Sequence, residues 1–210
     1  MTRVLVATNN AGKLAEIEQI LAGEGLSLLS PQDIAEERPW APYPDVIEDG
    51  GTFEKNAVIK ATTVAAHFGL LALADDSGIV IDALGGEPGV RSARYAGPDA
   101  TDAENNSKML SELKARPGAP RSARYRAVVA LASPNGELIT AAGDCEGAIV
   151  DDPRGTRGFG YDPYFVPEGY SESMAQLAPE VKNSISHRGA ALRGLRPQID
   201  GFLQGMNLQK

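Results

Sequence analysis

The sequence predicts a mixed α/β fold, on three observations. Arg3 to Ala7 is a short aliphatic, β-branched run that gives way at once to a polar loop and an amphipathic segment. Strand, polar loop, helix and strand then follow one another over residues 3–29, the order with which α/β domains open. Polar clusters gather at the ends of the apolar runs, where such folds place ligands.

The elements read as follows along the chain. A helix fits from Lys13 to about Ala22, with Leu14, Ile17 and Leu21 on one face and Gly23 and Gly25 ending it. Leu26 to Leu29 is a second strand. Ser30 to Asp49 holds Pro31, Pro39, Pro42 and Pro44 and reads as a loop or lobe connector. From Thr52 a long helix aligns Phe53, Ala57, Ala61, Val64 and Phe68, and Gly69 stops it. Leu71 to Ala74 is a buried strand ending at the turn Asp75-Asp76-Ser77-Gly78, and Ile79 to Leu84 is a separate one. Thr101 can cap a helix through about Ala115. Arg124 to Ala132 and Glu137 to Ala142 form a hairpin across Pro134-Asn135-Gly136. Tyr164 to Val166 is a last strand, and a last helix runs from after Ser186 to about Leu203.

With 210 residues and no strong interior boundary, the chain is expected to be a single domain, residues 1–210. Its 20 Lys and Arg stand against 28 Asp and Glu, a formal charge of −8 that argues against any polymeric nucleic acid as partner. An anionic small molecule remains compatible, because local lysines and a divalent cation outweigh net charge within a site. Cys145 is the single cysteine, too few for an internal disulfide or a Cys-based zinc site. No apolar run is long enough to span a membrane, and MTRVLVATNN lacks the features of a secretion signal, so the expected location is the cytoplasm.

Five clusters hold the candidate chemistry. Thr8, Asn9, Asn10, Ala11, Gly12 and Lys13 lie between a strand and a helix, where helix N–H groups and a lysine suit a phosphate. Adjacent Asp75 and Asp76 follow an apolar run, and Mg²⁺ is the economical offset for paired carboxylates. Glu48 precedes the long helix and can reach the same cation as Asp76, while Asn56 and Lys60 share one helix face. Phe159, Gly160, Tyr161 and Asp162 offer aromatics beside a glycine, suited to stacking a flat base. Lys182, His187 and Arg188 belong to a stretch denser in polar groups than a turn requires. Taken singly, each cluster also has a plain structural explanation as a turn, a cap or core.

Together these residues resemble a known family. ATNNAGK, EDGGTFEKNAVIKA, ADDSG, GVRSARYAG, GFGYDPYF and KNSISHRGAAL stand in the order found in the inosine triphosphate pyrophosphatases, or XTP/dITP diphosphatases. The resemblance covers Val4 to Leu192. It implies a two-lobed α/β fold with a long mixed central β-sheet flanked by helices, an active-site cleft between the lobes, and a homodimer. It implies Mg²⁺-dependent hydrolysis of ITP, dITP and XTP to the monophosphate and pyrophosphate, cleansing the nucleotide pool.

By the same resemblance Thr8 to Lys13 bind the triphosphate, with Asn56 and Lys60 near the phosphates. Glu48 and Asp76 hold the metal, Asp76 also serves as catalytic base, and Ser77 touches substrate. Phe159 to Asp162 form a base-binding strip, and Lys182, His187 and Arg188 surround the purine edge. The chain departs from the family pattern at Lys55 and Gln176, where many members have Glu. The nearest alternatives are a Maf-like nucleotide pyrophosphatase of different base specificity and a protein that binds nucleotide without hydrolysing it.

Overall fold

Six strands form one mixed sheet in the order β2-β1-β3-β4-β5-β6, in a computed structural model that describes residues 1–23 and 25–207. The strands are β1 Thr2–Val6, β2 Leu26–Leu29, β3 Leu71–Ile81, β4 Ser122–Ala132, β5 Leu138–Ile149 and β6 Phe165–Pro167. β1 runs parallel to both β2 and β3, and β5 pairs antiparallel with β6. The helices are α1 Ala11–Ile20, α2 Pro31–Glu37, α3 Phe53–Phe68, α4 Asp102–Lys114, α5 Pro179–Ile185 and α6 His187–Asn207. The expected mixed sheet flanked by helices is therefore present. Among the described residues, no helix is long and apolar enough to cross a membrane.

The chain divides into two compact units. Unit 1 comprises residues 1–76, 127–143 and 188–210, and unit 2 comprises residues 77–126 and 144–187. Val4, Val6, Ile17, Leu71, Leu73, Val129, Leu192 and Leu195 pack into a core of unit 1. Ile79, Ile81, Met109, Leu113, Tyr125, Tyr161, Phe165 and Met174 pack into the core of unit 2.

Two readings of the sequence need correction. The proline-bearing segment after Ser30 is not all loop, because α2 forms within it. Ser30 and Asp33 exchange a capping box and Pro31 takes the first turn, where its missing N–H is harmless. The expected turn at Asp75-Asp76-Ser77-Gly78 does not exist either, since β3 runs unbroken from Leu71 to Ile81. Two adjacent carboxylates persist inside a strand because alternate residues face opposite ways, and each finds its own cations. Gly78 lets Ser92 and Gly89 approach the strand closely. A Cβ there would lie 2.3 Å from Ser92 Oγ and 2.5 Å from the Gly89 carbonyl.

Candidate active site

In unit 1 the loop after β1 is shaped by its own side chains. Asn10 caps α1, its Oδ1 accepting the Lys13 N–H at 3.0 Å, and the Asn10 N–H donates to Thr8 Oγ1 at 3.2 Å. The first turn of α1 contains no acidic residue, so the partial positive charge of its N-terminus is not offset locally. Thr8 and Gly12 are half-buried, whereas Asn9, Asn10 and Ala11 are exposed.

Asp75 and Asp76 point to different partners. Asp75 is buried with its side chain 0% exposed; Oδ1 meets Lys13 Nζ at 2.6 Å, and both oxygens accept from Arg188 at 3.2 Å. Arg188 in turn donates through Nη1 to Glu16. Burial by itself would raise the Asp75 pKa, but Arg188 and Lys13 overturn that effect and hold the carboxyl well below the usual range. Lys13, Arg188, Asp75 and Glu16 form a balanced set of charges.

Asp76 lies in a different balance. Its Oδ2 accepts from Asn56 Nδ2 at 3.1 Å, and the Asn56 Oδ1 accepts the Gly50 N–H at 2.9 Å. Lys60 Nζ stands 3.1 Å from Glu48 Oε2 and 3.8 Å from Asp76 Oδ1, and donates to the Asp75 carbonyl at 3.1 Å. One ammonium thus faces two carboxylates. Burial pushes the Asp76 carboxyl up to about 6; Lys60, Lys13 and the Asn56 hydrogen bond oppose the rise, and Glu48 adds to it.

That arrangement bears on the metal expectation. Among the described residues no group of three or more His, Cys, Asp or Glu is gathered to hold an ion. Mg²⁺ asks less of the protein, one or two carboxylates with water and substrate oxygens completing its shell. Glu48 and Asp76, already converging on one cation and left with excess negative charge, fit that requirement.

The second cluster belongs to unit 2. Asp162 is buried, its Oδ1 accepting from Tyr125 Oη at 3.2 Å and its Oδ2 from Lys182 Nζ at 2.5 Å and the Phe159 N–H at 3.0 Å. Lys182 Nζ also stands 4.9 Å from the Phe159 ring centroid. His187 stacks on Tyr125, centroids 4.7 Å apart and rings 9° from parallel. Of the two aromatics beside Gly160, Phe159 keeps exposed surface, while Tyr161 is a core residue whose hydroxyl donates to the Ser92 carbonyl at 2.8 Å. Ser77, half-buried, follows Asp76 on β3.

The sequence-expected residues thus fall into two groups. Thr8 to Lys13, Glu48, Asn56, Lys60 and Asp76 lie in unit 1, and Ser77, Phe159 to Asp162, Lys182 and His187 lie in unit 2. Arg188, expected from the resemblance at the purine edge, is held by anions in the structure. It lies in unit 1, 1% exposed, and its nitrogens are bound to Asp75 and Glu16, because a buried guanidinium needs anions around it. Glu16, Ser92, Tyr125, Asp102 and Asn106 also organise these groups, the last two by holding the Gly160 N–H and carbonyl, and none is among the expected site residues. Asp75 carries a signal as neighbour of Asp76, and Ser92 as a member of the GVRSARYAG motif.

A capped helix start with its lysine suits a phosphate, and a carboxylate pair short of positive charge suits a divalent cation. The chain belongs to the Ham1 family, whose model matches residues 4–198. It is 51% identical over 199 residues to a dITP/XTP pyrophosphatase of Geobacter sulfurreducens, covering 95% of this chain and 97% of that one. It is 46% identical to the protein of the same name from Shouchella clausii, covering 96% and 98%. A HAM1 protein from Coxiella burnetii superposes with a TM-score of 0.84 at 41% identity, over 96% of this chain and all (100%) of that one. The family resemblance and the expectation of a nucleoside triphosphate pyrophosphatase are thereby borne out.

Proposed function

We propose that the protein hydrolyses ITP, dITP and XTP to the nucleoside monophosphate and pyrophosphate, with Mg²⁺. The observation that supports this most is Asp76, a buried carboxylate raised to about 6 beside Glu48, with Lys60 Nζ within 4 Å of both. A base with a pKa near working pH combines adequate strength with correct ionisation. Relatives that are named dITP/XTP pyrophosphatases direct the reading to deaminated purines.

In the proposed reaction water attacks the α-phosphorus, and its proton passes to a carboxylate oxygen of Asp76. The new O–P bond forms as the bond from the α-phosphorus to the α–β bridging oxygen breaks, and pyrophosphate leaves with that oxygen. Asn56, holding Asp76 Oδ2 and the Gly50 N–H together, keeps the base aimed. Lys13 and Lys60 neutralise phosphate charge, and the α1 N-terminus receives phosphate oxygens. Mg²⁺, held by Glu48 and Asp76, supplies further charge neutralisation when bound.

Phe159 stacks the base in this reading. Asp162, Lys182 and His187 frame its edge, and a Lys182 or backbone donor meets the six-position keto oxygen. An amine at that position would oppose donor to donor, a mismatch worth about 1–3 kcal/mol when buried. Arg188 acts on the site through Asp75, the residue it shares with Lys13. The setting is a cytoplasmic homodimer.

The test is pyrophosphate release from ITP, dITP, XTP, ATP, GTP and a pyrimidine triphosphate, with and without chelator. Release should favour the first three by at least about tenfold in kcat/KM, a gap of about 1.4 kcal/mol. Chelator should abolish release and Mg²⁺ restore it. Equal turnover of the pyrimidine nucleotide would favour the Maf-like alternative, and binding without release would favour the non-hydrolysing one.

A further inference from the structure

Gly160 lies at the centre of the proposed base strip with φ +61°, and among the described residues no non-adjacent residue comes within 4 Å of the position its Cβ would take. Glycine is therefore used there for backbone conformation, and a residue so free needs external restraint. Both polar groups of its backbone are restrained by one helix. The Gly160 N–H donates to Asp102 Oδ2 at 2.6 Å, and its carbonyl accepts from Asn106 Nδ2 at 2.9 Å. Asp102 and Asn106 are four apart on α4 and so share a face.

α4 is itself firmly seated in unit 2. Thr101 and Glu104 form a capping box at its start, and Met109 and Leu113 lie in the core. Asn105 grips the preceding segment, its Oδ1 accepting the Ala96 N–H at 2.8 Å and its Nδ2 donating to the Ala93 carbonyl at 3.2 Å.

Ordinary stability does not account for the pair. An acidic first-turn residue complements a helix dipole, but the Asp102 carboxylate is aimed at a loop 58 residues away. Asn106 is buried at 7% exposure, and among the described residues its Oδ1 has no hydrogen-bond partner. An unsatisfied buried acceptor is unfavourable, so a site chosen for packing alone would be apolar, as Met109 and Leu113 are. Asn106 is retained for what its Nδ2 holds.

We infer that Asp102 and Asn106 are positioning residues for base recognition, locking the Gly160 backbone so that Phe159 is presented to the purine at a fixed attitude. The inference rests on the reading of Phe159 to Asp162 as the base strip. Neither side chain is required to touch substrate.

Steady-state kinetics with ITP tests it, alongside competitive inhibition by inorganic tripolyphosphate, which carries no base. Asp102→Ala and Asn106→Ala should each raise KM for ITP roughly fivefold to tenfold, as loss of one hydrogen bond predicts. kcat and the tripolyphosphate Ki should stay within about twofold, an ordinary margin for an undisturbed site. Asp102→Asn, which keeps an acceptor oxygen, should restore KM. The double variant should be less impaired than the product of the two, because both residues hold one backbone.

Phe159→Ala separates the possible failures. If it raises KM and the exposed-residue variant Asp102→Ala does not, the clamp is wrong and the base strip stands. If it leaves KM unchanged, the strip reading fails and the clamp falls with it. An equal loss of tripolyphosphate affinity in the clamp variants would mean a general structural role and would overturn the inference. Should Asn106→Ala not fold, the exposed Asp102 decides the matter alone.

Discussion

Replacing Asp76 by Asn should make the protein more stable and nearly inactive. The carboxyl is 7% exposed and its pKa stands at about 6 against an ordinary value of 3.8, burial being the chief cause. A gap of about two pH units, at about 1.4 kcal/mol each, means that ionised Asp76 destabilises the fold by about 3 kcal/mol. Asn removes that charge and can still accept the hydrogen bond from Asn56 through its own Oδ1. It gives up the 3.8 Å approach of Lys60, which retains Glu48, so the expected gain is about 1–3 kcal/mol.

The sign with pH follows from the direction of the shift. A raised folded-state pKa means the wild type carries no penalty below about 3.8 and acquires it as pH rises through about 6. The advantage of Asp76→Asn should therefore be full at pH 8, shrink as pH falls through 6, and vanish near 4. Urea unfolding at a series of pH values, with chelator present, measures it. Mg²⁺ should stabilise the wild type more than the variant, since only the former offers the full carboxylate pair. Pyrophosphate release should fall by about two orders of magnitude or more. An Asp76→Asn variant no more stable than wild type at pH 8 in chelator would refute the claim that this site holds uncompensated negative charge.

Two other substitutions probe the neighbouring contacts. Asp75→Asn leaves half-buried Lys13 and buried Arg188 without their shared anion and should destabilise the fold by about 3–5 kcal/mol at pH 7, read as a lower urea midpoint. Because the Asp75 pKa is depressed, that loss should persist at every pH above the ordinary carboxylate range. Gly158→Ala would place a Cβ 2.1 Å from Asp162 Oδ2 at a φ of +75°, breaking the grip of Asp162 on Lys182 and the Phe159 N–H. The expected result is a KM for ITP raised by about tenfold, on the scale of a lost charged hydrogen bond, with kcat less affected.

Much of the fold was legible because its signals are local. Asn10 before α1, Thr52 before α3, Gly69 after it and Thr101 before α4 are caps that act within one turn of themselves. The α2 capping box was equally local, yet prolines around it masked the pattern. β3 was misread as two strands because adjacent aspartates and a glycine usually mark a turn. Only the cations around Asp75 and the lysine and amide around Asp76 make them acceptable inside a strand.

The chain by itself determined the family and the residue types its chemistry needs, since ordered motifs from Thr8 to Arg188 survive reading in one dimension. Tertiary structure alone decided how those charges are shared. Adjacent aspartates became opposites, Asp75 neutralised by Lys13 and Arg188, Asp76 left short of positive charge with Glu48. Arg188 is 113 positions from Asp75 and 172 from Glu16, and Gly160 is 58 from Asp102. Burial and ion pairing depend on distance through space, which folding creates and sequence order does not record.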